Sequence, residues 1–180
     1  LFDTVQAEFG PVTCLVNNAS LFEWDDVESL SLETWETQMA VNLRAPVFLA
    51  QQFAKRLPKH QHGLVINIID QRVLKLTPRF LSYTISKSAL WTATRVLAQA
   101  LAPRIRVNAI GPGPTLRNDR QDESDFERQQ KATLLGRGPK PEEIADAVRF
   151  IIDAPAMTGQ MIALDGGQHL AWQTEDAVVD

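Results

Sequence analysis

The chain has 180 residues, 44% of them hydrophobic and 22% charged, with a net charge of −4 at pH 7. That length fits one globular domain with a proper core, and the negative balance argues against a nucleic-acid partner, which needs clustered positive charge. No apolar run reaches the ~20 residues of a membrane span, and a lone cysteine allows no intramolecular disulfide, which suits a cytoplasmic protein.

Leu1 to Gly10 reads as the end of an amphipathic helix closed by Gly10. Val12 to Val16 is a continuous apolar run, as expected of a parallel strand buried on both faces, and places Cys14 in the interior as a packing residue. The turn Asn17-Asn18-Ala19-Ser20 and a loop through Asp25 and Asp26 lead to Ser31, the expected N-cap of one long helix ending near Leu57, before Pro58. Lys59-His60-Gln61-His62 has no cysteine or carboxylate at ligand spacing, so a solvated turn and no metal site are expected.

Gly63 to Ile69 forms the next buried strand, followed by a loop containing Pro78 and a helix from about Phe80 to Leu101. Arg104 to Ile110 is the third strand. Residues 114–126 are polar without periodicity, as in a surface loop, and a short helix follows to about Leu135. Pro141 opens a helix to Ile152, with Glu142 and Glu143 matching its dipole, and Gln160 to Leu164 is the last strand. The acidic tail, residues 173–180, is expected to fray. Strand alternating with helix predicts a single α/β domain over residues 1–172, built on a parallel sheet with right-handed crossovers.

In such sheets ligands bind beyond the C-terminal strand ends, so residues just after each strand matter most. Asn17 to Ser20, Asp70 and Gly111 to Thr115 all stand there. Tyr83 and Lys87, four residues apart, share one helix face. A lysine cation near a phenol favours the phenolate and lowers a pKa that is ordinarily ~10, which makes the pair a usable acid/base. Spacing alone also allows an ordinary exposed helix face.

Five segments appear in a fixed order: Leu15-Val16-Asn17-Asn18-Ala19-Ser20, Asn42 in Ala40-Val41-Asn42-Leu43, Tyr83 with Lys87, Asn108-Ala109-Ile110-Gly111-Pro112-Gly113-Pro114-Thr115, and Leu164-Asp165-Gly166-Gly167. Together they resemble the short-chain dehydrogenase/reductase family over roughly residues 1 to 170. The resemblance implies a Rossmann-type doubly wound fold and a nicotinamide cofactor. It implies cofactor contacts from Asn17, Ala19, Ser20, Tyr83, Lys87, Pro112, Gly113 and Thr115. Tyr83 would then donate the proton, Lys87 would hold the ribose and lower the tyrosine's pKa, and Asn42 would join the proton relay. Family members commonly form tetramers through two long helices, here carrying Trp35 and Trp91, and a homotetramer is expected; ordinary half-buried packing is the other reading of those rings. The family's first strand–helix–strand–helix–strand portion, with its glycine-rich turn and the residue that selects NAD or NADP, has no counterpart here. The expectation is the C-terminal two-thirds of a longer protein.

Asp70 departs from the common family pattern, which has serine thirteen residues before the tyrosine. An ionised aspartate only accepts hydrogen bonds and repels a developing oxyanion, so it suits a substrate presenting N–H donors, or, protonated, one needing a proton on a ring nitrogen. The pteridine reductase branch, with its dihydromonapterin-reducing relatives, is similar here and shares Ser20 and Phe22. By that resemblance Phe22 stacks on the pterin, with Ser20, Asp70 and Tyr83 around it; core packing of Phe22 and loop ordering by Asp70 are the structural alternatives. The expected activity is NADPH-dependent reduction of a pterin or folate-like small molecule. A carbonyl or alcohol substrate is the alternative, and a non-catalytic binding or assembly module is a second.

Overall fold

The computed structural model describes residues 1–117 and 122–173, so nearly all of the predicted acidic tail lies outside the described residues. Four strands, β1 (Cys14–Asn17), β2 (Gly63–Ile68), β3 (Ile105–Pro112) and β4 (Met161–Leu164), form one parallel sheet in the order β1-β2-β3-β4. The helices are α1 (Phe2–Phe9), α2 (Leu32–Met39), α3 (Ala45–Arg56), α4 (Leu81–Leu101), α5 (Glu123–Lys131) and α6 (Pro141–Asp153).

Side-chain alternation along the strands divides the core in two. Val65, Ile105 and Val107 pack with Ala50, Phe53 and Leu57 from the α3 end and Ala98 of α4 on one face. Leu64, Ile66 and Ile110 pack with Ile151 of α6 on the other. The sheet is therefore doubly wound, as expected. One expectation fails: the first two crossovers pass over one face and the third over the opposite face while the strand order keeps advancing, so the last has the opposite hand. Right-handedness follows when a strand feeds directly into its crossover helix. The β3–β4 connection, with α5 and a turn before α6, is too long to be bound that way.

A second correction concerns β1. Leu15 joins the α3 face, but Cys14 and Val16 point the other way and are exposed, Val16 to 41%. The α6 cluster contains residues of β2, β3 and β4, and none of β1. The apolar run marked the strand correctly; Val16 faces a cleft that it lines together with Ile144 and Val148 of α6.

The predicted helix from Ser31 to Leu57 has the expected cap, the Ser31 hydroxyl accepting from Thr34 N at 3.0 Å, but it is not one helix. Between α2 and α3 lies a π-helical turn, Ala40–Arg44, in which Ala45 N–H reaches back five residues to Ala40 O. Pro46 supplies the cause: it has no N–H for the carbonyl four residues back, and its ring crowds that position.

Two arginines at β3 close helices on opposite sides of the sheet. Arg104 donates to Leu57 O and Ala54 O at the end of α3, and Arg106 to Ile151 O, Ile152 O, Ala154 O and Met157 O at the end of α6. Such cations satisfy carbonyls that the helix leaves unpaired and complement its negative end. Arg106→Met should cost about 2 kcal/mol in urea unfolding, the scale of hydrogen bonds to a charged donor, with an unchanged denaturant slope. An unshifted midpoint would show that these bonds do not hold α6.

Candidate active site

The site forms where β2 and β3 end. Asp70 follows β2, and its carboxylate oxygens have separate partners. Oδ1 accepts Arg72 N at 2.7 Å, which caps the short 3-10 turn Gln71–Val73, and Oδ2 accepts the Tyr83 hydroxyl at 2.8 Å. Asp70 and Tyr83, thirteen residues apart, thus meet as predicted.

Tyr83 lies in the first turn of α4, and that turn is anchored from a distance. Phe80, the residue before the helix, has φ 57 and gives no side-chain cap. Asp25, only 1% exposed, does the capping. Its backbone carbonyl accepts Phe80 N at 2.8 Å and Leu81 N at 3.4 Å, while its carboxylate accepts Ser82 N and the Ser82 hydroxyl. One turn later Ser86 Oγ donates to Tyr83 O at 2.7 Å.

Lys87 is 2% exposed and donates to Ile68 O at 3.0 Å, its Nζ standing 5.7 Å from the Tyr83 ring centre. Burial lowers its pKa to about 8, although the Asp70 charge opposes the shift. Burial also raises the pKa of Asp70, against Arg72 N–H, the Arg72 charge, Tyr83 and Lys87. The expectation for Tyr83 is corrected: burial first, then the Asp70 charge and hydrogen bond, push its pKa well above 10. A carboxylate accepting the phenol's hydrogen bond favours the phenol, and with burial it outweighs the Arg72 charge and the Ser20 contact, which act the other way. Tyr83 therefore rests protonated and donates its hydrogen bond to Asp70.

Asn42 sits in the π-helical turn, fully buried. Its carbonyl accepts Leu21 N at 2.9 Å and Ser20 Oγ at 3.1 Å, and its amide donates to Leu21 O, Gln38 Oε1 and Ser86 Oγ. It pins the turn carrying Ser20 and Phe22. Phe22 stacks on Phe80 with ring centres 4.1 Å apart and meets the edge of Tyr83 at 4.6 Å. Asn17 turns inward, its amide donating to Asn67 Oδ1 at 2.8 Å, and Ala19 is exposed; neither lines a cleft, whereas Asn18 does. Gly113 crosses β4 so closely that a Cβ there would stand 2.6 Å from Asp165 Cα.

Two clefts adjoin. One, about 510 Å³, is lined by Asn18, Ser20, Lys87 and Thr115 together with Asp70 and Tyr83. The other, about 410 Å³, is lined by Phe22, Trp24, Gln71, Arg72 and Phe80 together with the same Asp70 and Tyr83. Pro112 and Gly113 border both. A group held in either cleft meets the carboxyl–phenol pair at the shared wall. Sequence reasoning missed Asp25, Gln71, Arg72 and Phe80; the dipeptide directly after Asp70 was the one available signal. His60 and His62 are exposed, and no metal-binding group occurs among the described residues.

The geometry has parallels among known proteins. Residues 1–169 match the family model described as enoyl-(acyl carrier protein) reductase. The crystal structure of FolM alternative dihydrofolate reductase 1 from Brucella suis in complex with NADP is 56% identical, with a TM-score of 0.95 over 98% of this chain and 72% of that one. Dihydromonapterin reductase of Enterobacter sp. (strain 638) is 30% identical over 93% of this chain and 71% of the relative. The 2-dehydro-3-deoxy-D-gluconate 5-dehydrogenase of Dickeya dadantii (strain 3937) is 34% identical over 93% and 69%. This chain thus spans about two thirds of its curated relatives' length, and by the match over residues 1–169 it belongs to the short-chain dehydrogenase/reductase family of oxidoreductases.

Proposed function

We propose that this chain carries the catalytic portion of an NADPH-dependent reductase acting on dihydropterins or related folate-like dihydro-heterocycles. The observation that carries the reading is the 2.8 Å hydrogen bond from Tyr83 to Asp70 at the wall shared by two clefts. Asp70 in its ionised form accepts N–H groups of an amino-substituted ring; protonated, it delivers a proton to a ring nitrogen. Burial raises its pKa and so favours the protonated form. Once that proton has gone, the Tyr83 hydroxyl stabilises the carboxylate by donating a hydrogen bond, the Lys87 ammonium offsets its negative charge, and solvent restores the proton. Similarity to the Brucella and Enterobacter reductases supports the same substrate class.

The larger cleft fits the ribose and nicotinamide portion of the cofactor. Among the described residues Lys87 has one hydrogen bond, to Ile68 O, which leaves two of its three N–H donors for ribose hydroxyls. Ser20, Tyr83, Pro112, Gly113 and Thr115 would complete the holding set, while Asn17 and Ala19 shape the turn that presents Asn18. When bound, NADPH supplies the hydride; the chain supplies alignment and the proton. Asn42 adjoins the relay through Ser86 and Ser20 and fixes the turn bearing Phe22.

Exposed Phe48 on α3 and Ile85 and Val96 on α4 support a homotetramer joined through these helices. The exposed Cys14 thiol suits the reducing cytoplasm. A carbonyl substrate is the second reading, favoured by the Dickeya relative. Asp70→Ser separates the two: kcat/KM for dihydrobiopterin and dihydrofolate should fall about 100-fold, the scale of a lost general acid, relative to any ketone turned over. Parallel losses, or none for the dihydropterins, would favour the carbonyl reading.

Lys87 also predicts a pH dependence. The folded chain gives up this proton near pH 8, below the ordinary lysine value of 10.5. Between those values the unfolded chain binds more protons, so folding stability gains from Lys87 as pH rises through that window. Function runs the other way. kcat/KM for NADPH, which reports the free enzyme, should fall above about pH 8 as the cation is lost, and Lys87→Arg should move that fall to higher pH. A profile flat to about pH 10 in the unsubstituted protein would remove Lys87 from cofactor binding.

A further inference from the structure

The smaller cleft contains more polar chemistry than the proton transfer uses. Gln71 Oε1 and Arg72 Nε are both buried without a hydrogen-bond partner among the described residues, and both residues line this cleft. Two adjacent orphans, one acceptor and one donor, are unusual in a folded interior. Among the described residues the Arg72 guanidinium has a single hydrogen bond, from Nη1 to Thr77 Oγ1 at 2.7 Å, and lies 5.3 Å from the centre of the Phe80 ring. Phe80 in turn stacks on Phe22 and meets Trp24 edge-on with ring centres 4.8 Å apart. Lys75 and Arg79 add positive charge to the same loop, and no acidic residue occurs between Asp70 and Asp119.

Aromatic faces, one amide acceptor and a forked cation describe a complementary ligand. It has a flat ring, an N–H to donate and a carboxylate to accept the guanidinium fork. A short neutral polyol side chain uses none of these. We propose that Gln71 and Arg72, with the Phe22–Phe80 stack, form a second recognition layer selecting dihydropterins whose side chain is an aryl amide ending in carboxylate. This rests on the dihydropterin reading above and adds a preference within it. Arg72 is here a substrate-contact and specificity residue: a small turn of its guanidinium about the Thr77 bond offers Nε and Nη2 side by side, while Gln71 Oε1 accepts the amide N–H.

The test compares the full-length enzyme with its Arg72→Met and Arg72→Lys forms, NADPH-loaded, on dihydrofolate and on dihydrobiopterin. Arg72→Met should lower kcat/KM for dihydrofolate at least tenfold more than for dihydrobiopterin, chiefly through KM, and Arg72→Lys should recover part of the difference. Arg72 also acts on the Asp70 charge, but that influence is common to both substrates and cancels in their ratio. Without any substitution, KM for dihydrofolate should rise with salt more steeply than KM for dihydrobiopterin. Equal losses on both substrates, or equal salt dependence, overturns the proposal. If the unsubstituted enzyme reduces neither substrate, the dihydropterin reading has failed. The subsite is then judged by tryptophan-fluorescence titration with 4-aminobenzoyl-glutamate. Saturable binding that weakens tenfold in Arg72→Met sustains it, and no binding ends it.

Discussion

A carboxylate, a phenol and an ammonium share one buried corner, and burial, tempered by the contacts among them, governs how that corner is charged. An ion without partners in such surroundings costs several kcal/mol. Here the carboxylate has an amide and a hydroxyl on separate oxygens, and the ammonium has a backbone carbonyl and an opposite charge nearby. The group is tolerable as a set, and removing one member leaves another buried and unbalanced. The opposing pKa displacements of Asp70 and Lys87 have this one origin: each resists its own charge because of burial, and each is partly restored by the other.

Holding the pair in contact demands precision from segments distant in sequence. Asp70 is fixed by the end of β2 and by the turn it caps. Tyr83 is fixed by α4, whose first turn would be open without the Asp25 clamp. The Asp25 loop and the Ser20–Phe22 turn both follow β1, and Asn42 ties that turn to the π-helical segment and to Ser86 on α4. A regular helix around Pro46 would aim Asn42 elsewhere. The irregularity in the helix is thus coupled to the geometry of the site, a common place for π turns to persist.

Much of this was legible in sequence because it depends on local pattern. Apolar runs marked all four strands, Ser31 and Pro141 marked helix starts, and the spacing of Asp70, Tyr83 and Lys87 marked three side chains that share one corner. What escaped depends on relations between distant segments. Cys14 and Val16 are exposed on one face of β1, and no window around β1 contains that information. Asp25 looked like a loop carboxylate because its partners begin 55 residues later, at Phe80. The Tyr83 error had a different source. A lysine four residues away argued for a phenolate, but the nearer carboxylate and the burial of the site together reverse the sign.

That reversal sets an aspartate at this position apart from a serine. A serine hydroxyl donates, so it complements an oxyanion and leaves a nearby tyrosine free to ionise. An aspartate accepts from the tyrosine and keeps it protonated, at the loss of any help to a carbonyl oxygen. The exchange removes one function and creates another: a carboxyl group held by a hydrogen bond from a phenol that keeps its own proton. A ring C=N requires a proton on nitrogen as hydride arrives at carbon, and its neighbouring amino groups require acceptors before that. A carboxyl group fills both needs in succession by changing protonation state, which no hydroxyl does near neutral pH. The two clefts share this pair as a wall, so a single carboxyl group faces both.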